Sequence, residues 1–64
     1  MYVIRREGGV FVTGPGERGS YTPFLQRARV FASREEADRA RCPGNETVVS
    51  VEQAMERHHT QGAP

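Results

Sequence analysis

Cys42, the adjacent pair His58-His59 and the acids Glu35, Glu36 and Asp38 are the side chains with which this 64-residue chain would do chemistry. Each has a plainer use. Cys42 is the only cysteine, so it forms no internal disulfide. It stands beside Pro43 at a predicted helix end, where the dipole disfavours a thiolate, so a buried or idle thiol is expected. Two adjacent histidines cannot both face one metal from a regular helix, and with Cys42 they lack the spaced pairs of a zinc site. The acids fall in the first turns of a predicted helix, where negative charge stabilises the dipole. Gly14-Pro15-Gly16-Glu17-Arg18-Gly19 matches G-x-G-x-x-G. However, Ser20-Tyr21-Thr22-Pro23 separates it from the next helix, and Glu17 would repel a pyrophosphate. Asn45-Glu46-Thr47 spells a glycosylation acceptor with no secretion signal beside it. Nothing here assembles a nucleophile, a base and their supporting groups, so the expectation is a non-enzyme with no cofactor and no metal.

Length and charge narrow the class further. A chain of this length makes one domain, expected over residues 1–57, with 58–64 as a frayed tail. Such a domain buries only about 60% of its unfolded surface, so its core is marginal. No apolar run approaches the roughly 20 residues that span a bilayer. Met1–Arg6 also lacks the order of a signal peptide, so the cytoplasm is the expected compartment and no membrane partner is expected. The net charge is +1, but residues 1–32 hold five arginines against two acids and residues 33–64 four against six. All nine basic residues are arginine, as a GC-rich genome would give, although guanidinium forks also suit carboxylates and interfaces.

These side chains need a scaffold, and the scaffold is legible. Tyr2-Val3-Ile4 and Val10-Phe11-Val12-Thr13 are strand formers around Gly8-Gly9, a β-hairpin. A three-residue turn at Glu7-Gly8-Gly9 sets Arg6 opposite Val10 and gathers Tyr2, Ile4, Val10 and Val12 on one face. Val3, Arg5, Phe11 and Thr13 then take the other face, where Phe11 would be a partly exposed contact residue unless tertiary packing covers it. Residues 14–20 read as a loop. Thr22 and Pro23 open a short helix over Pro23–Arg27 that turns Phe24, Leu25 and Ala28 inward. Arg29–Ala32 reads as a short strand. Ser33 and Glu36 form a capping box for a helix over Arg34–Arg41, stopped by Cys42-Pro43-Gly44-Asn45. Glu46–Val51 is the last β-prone run, although Ser50-Val51-Glu52-Gln53 is an alternative helix start. The expected fold is α+β, a ββ(α)βαβ domain. Its three- or four-stranded, mostly antiparallel sheet would carry one main helix on one face.

Two binding functions are compatible with these residues. Arg5, Phe11, Arg18, Tyr21, Arg27 and Arg29 mix cations with aromatics as single-strand nucleic-acid binders do, although no helix-turn-helix, zinc-finger or RNA-recognition motif is present. The other reading is a protein-binding surface of Arg5, Phe11 and Arg18 combined with the acidic helix residues Glu35, Glu36 and Asp38. A purely structural accessory protein, as a homodimer, is a third.

Tyr21-Thr22, Ala28-Arg29-Val30-Phe31 and Ser33-Arg34-Glu35-Glu36-Ala37, flanked by Met1–Arg5 and Val48–Glu52, resemble a pattern found in small phage and prophage proteins. That pattern is a hairpin, "YT", a short helix, "A-x-x-F" and then "S/T-x-E-E-A". The resemblance implies a phage or mobile element of a GC-rich bacterium. It also implies the company of anti-CRISPR inhibitors, which bind Cas subunits and block DNA access or nuclease recruitment. The acids Glu35, Glu36 and Asp38 would on that reading face a basic cleft of the host protein.

Overall fold

The computed structural model describes residues 1–62, with side chains described through Glu56. It is a small α+β domain. Strands β1 (Tyr2–Arg6), β2 (Val10–Val12), β3 (Tyr21–Thr22) and β4 (Glu46–Ser50) form one antiparallel sheet in the order β3-β2-β1-β4. Helices α1 (Arg34–Ala40) and α2 (Val51–Gly62) complete it. The hairpin takes the predicted register, with Arg6 opposite Val10 and Arg5 opposite Phe11. Gly8 and Gly9 have φ of 101° and 84°, a region that only glycine enters freely, which is why the turn falls there.

Successive residues of a strand point to opposite faces, and β1 is buried on both. Ile4 packs with Phe31 and Ala37 beneath α1, while Val3 packs with Phe11, Ala28 and Ala54 beneath α2. The two helices therefore lie on opposite sides of the sheet. The full burial of Val3 and Ile4 contributes about 1.5–3 kcal/mol each. The buried core residues of the two helices, among the described residues, are Ala37 and Ala54, whose small side chains let each helix sit close to the sheet.

Three local expectations need correction, and the open choice at Ser50 falls to the helix. Phe11 is 4% exposed, because α2 and the chain at Ala28 cover the face that the sequence left open. Ser50 starts a helix: its hydroxyl accepts from Gln53 N at 3.1 Å while Gln53 Oε1 accepts from Ser50 N at 3.4 Å, a reciprocal capping box. The helix it starts runs to Gly62 and so enters the stretch expected to be a tail, of which residues 63–64 lie outside the described residues. Arg29–Ala32 is not a ladder strand but a wedge. Tyr2 and Phe31 exchange backbone hydrogen bonds at 2.9 and 2.7 Å, and Arg29 N donates to Val12 O at 2.9 Å. The segment thus fills the fork where β1 and β2 diverge, and the third strand is Tyr21–Thr22 instead. Finally, the helix after Pro23 is a single 3₁₀ turn, Leu25–Arg27. Thr22 Oγ1 accepts from Phe24 N at 3.1 Å, and Phe24 is turned outward, 46% exposed.

Ser33 Oγ accepts from Glu36 N at 3.2 Å and starts α1 as predicted. Arg41 N closes it on Ala37 O, so the helix ends one residue before the expected Arg41.

Candidate interaction surfaces

Among the described residues one acid is buried, and no sequence signal marks it. Glu46, 5% exposed, accepts from the Tyr21 hydroxyl in a short hydrogen bond and from Cys42 N at 2.7 Å. Arg6, paired with Glu46 across β1 and β4, lays its guanidinium 4.6 Å from the centre of the Tyr21 ring. One carboxylate thus ties β3, at the far edge of the sheet, to the turn entering β4. Hydrogen bonding to this carboxylate, with burial added, holds the Tyr21 phenol above its ordinary pKa of 10.0. The same bond holds Glu46 below its ordinary 4.5, against the opposing pull of burial and with help from Cys42 N and Arg6. No pattern in the sequence marks this pair, because its members are 25 residues apart.

The signs set a pH window. A carboxyl depressed on folding contributes stability above its unfolded pKa and loses it as pH falls through the folded value. A phenol raised on folding contributes below its unfolded pKa and loses it as pH rises through the folded value. The contribution of this pair to stability is therefore expected to be constant between the two ordinary values of 4.5 and 10.0 and to fall on both sides. Urea midpoints measured across pH check this. Tyr21→Phe is expected to remove the alkaline limb and weaken the acid one.

Arginine has a structural use here. Arg6, Arg27, Arg29 and Arg34 lie 4.6, 5.3, 4.8 and 5.1 Å from the ring centres of Tyr21, Phe24, Phe31 and Tyr2. Every aromatic ring except Phe11 therefore carries a guanidinium, which stacks flat where an ammonium would not. Arg41 bonds Asp38 Oδ1 at 2.6 Å through Nε and Glu46 O at 3.1 Å through Nη1.

The six residues proposed for a partner surface do not share one. Phe11 is core. Arg5 lies on the α2 side of the sheet with Val3, whereas Glu35, Glu36 and Asp38 belong to α1 on the other side, and Asp38 is engaged by Arg41. Arg18 is exposed in the loop between β2 and β3, in a hollow it shares with Tyr21, Phe24 and Arg27. The nucleic-acid set is dispersed in the same way, since Phe11 is buried and Arg5 and Arg29 stand away from that hollow. Cys42 is an exposed free thiol, and among the described residues no group of three His, Cys, Asp or Glu could hold a metal ion.

Strand addition is unfavourable at the β4 edge. Glu7 N donates to Asn45 O and Val51 N to Met1 O, which directs the backbone polar groups of Glu46, Val48 and Ser50 outward. Glu46 O is taken by Arg41, Glu46 N by Cys42 O, and Ser50 N by Gln53, so half of the outward-facing groups are already engaged.

Two concave surfaces remain. On the α1 side, a hollow of about 600 Å³ lies between the wedge and the helix. Arg29, half-exposed Val30, Ala32, Glu36, Arg39 and Ala40 line it. On the α2 side, two adjoining hollows of about 370 and 380 Å³ share Arg5 and Val49. No protein-family model matches the chain, and neither a curated protein nor a solved structure is significantly similar to it. No helix among the described residues is long and apolar enough to cross a membrane.

Proposed function

We propose that the chain is a non-enzymatic phage or mobile-element protein that binds a host protein, with a CRISPR–Cas subunit as the specific target, and blocks its nucleic-acid or partner site. The observation that carries this reading is what the fold leaves unused within the phage-like pattern. Tyr21 holds Glu46, Thr22 is buried and accepts from Phe24 N, Ala28, Phe31 and Ala37 are core, and Ser33 caps α1. Around them Arg29, Val30, Glu35, Glu36 and Arg39 face solvent on the α1 side. These are the side chains that this face leaves available to a partner. Arg29 and Arg39 stand beside Glu36 in one hollow, so the acids are not an unbroken phosphate-like row. A mixed-charge surface around an apolar centre suits contact with a protein better than mimicry of DNA.

The test is plaque formation by a phage that type I CRISPR–Cas immunity targets. Expression of the chain is expected to restore plaques, and Val30→Asp, a change at a half-exposed site, is expected to abolish the effect while leaving the fold intact. Failure of the native chain to restore plaques would reject the Cas assignment.

A further inference from the structure

Arg5 occupies the middle of a sheet face, where an apolar residue is expected. It sits on the central strand between Phe11 on β2 and Thr47 on β4, with buried Val3 as its neighbour on the same face. Helix α2 leaves β4 at once, at Val51, and covers Val3 through Ala54, so the hairpin end of this face stays open. Arg5 is half-buried there and, among the described residues, has no acid in salt-bridge range and no aromatic ring beneath it, unlike Arg6, Arg27, Arg29, Arg34 and Arg41. A half-desolvated guanidinium without a counter-charge is costly and calls for an anion.

We propose that this groove receives the carboxylate side chain of an acidic peptide segment of a protein partner. Two hollows meet at Arg5, one walled by Asn45, Thr47 and Glu7 and the other by Gln53 and Ala54, with Val49 common to both. The planar guanidinium matches a carboxylate through two parallel hydrogen bonds, and the amides of Asn45 and Gln53 supply neutral donors on either side. Val49 and Ala54 give an apolar wall for the residues flanking the acid. A nucleic-acid backbone fits poorly. It needs several cations along a track, whereas this groove offers only Arg5 and Arg6, the latter with its guanidinium over the Tyr21 ring, and sets Glu7 beside them. The site is on the opposite side of the sheet from the α1 surface and stands or falls independently of the function proposed above.

The test is an NMR titration of the full chain with the capped peptide Ala-Leu-Glu-Leu-Ala, its Gln counterpart and inorganic phosphate. The Glu peptide is expected to move the Arg5 Nε–H, Gln53 side-chain amide and Val49 signals together and saturably. The Gln peptide and phosphate are expected to bind at least about ten-fold more weakly. Arg5→Met keeps the aliphatic stem and should lose the response with an unchanged melting curve, whereas Arg5→Lys should retain part of it. Equal binding of the Glu and Gln peptides, preference for phosphate, or a response that survives Arg5→Met in the folded protein would each overturn the assignment.

Discussion

Phe11→Ala is expected to unfold the domain rather than to impair a surface. The ring is 4% exposed and packs with Val3, Ala28 and Ala54, so its removal leaves a cavity at the joint between the sheet, α2 and the chain leaving the 3₁₀ turn. Truncations of this kind cost about 3–5 kcal/mol. A core of this size rarely supplies more than about 3–5 kcal/mol in total. Far-UV circular dichroism at 25 °C should therefore show Phe11→Ala largely unfolded. A contact residue, as the hairpin pattern alone suggested, would leave the spectrum and the melting curve unchanged.

Glu46→Ala is expected to have the second largest effect. It removes one acceptor from two donors at once, the Tyr21 hydroxyl and Cys42 N, and frees Arg6 of its facing charge. The Cys42 N–H is left without its acceptor in a part-buried site, and β3 loses its tie to the β4 turn. Charge-assisted bonds of this sort carry about 1.5–3 kcal/mol, so a loss of about 2–3 kcal/mol is expected in urea unfolding at pH 7. Glu35→Ala, at an exposed position of α1, should move stability by less than about 0.5 kcal/mol. The contrast separates the one acid that holds the fold from the helix acids that drew notice in the sequence.

What could be read from the chain follows from how local each signal is. The hairpin register and the Ser33 start of α1 depend on neighbours within a few residues, and both appear as expected. The α+β class, with a four-stranded antiparallel sheet, follows from the same signals. Phe11 was misplaced because alternation tells which residues share a face but not whether a second layer covers it. That layer is α2, whose start at Ser50 was open between strand and helix until Gln53 closed the cap. Arg29–Ala32 has strand-like residues, yet it fills a fork between two strands that only the assembled sheet creates. Arg5 was visible as a candidate. Its lack of a counter-charge and its place at the meeting of two hollows depend on the fold of residues 42–54.

Residues 21–37 accordingly serve the fold first. Tyr21, Thr22, Ala28, Phe31, Ser33 and Ala37 are consumed by the Glu46 bond, the core and the α1 cap, while Arg29, Val30 and Glu36, with Arg39 beyond them, line the α1-side hollow. On the proposed function, recognition rests on Arg29, Val30, Glu36 and Arg39 and not on the Glu pair alone. Calorimetric titration of the purified chain into a purified type I Cas effector complex tests this most directly. Saturable binding that Val30→Asp weakens by about 2 kcal/mol, with the variant still folded, is the predicted result. No heat of binding, or equal affinity for the folded variant, would contradict it.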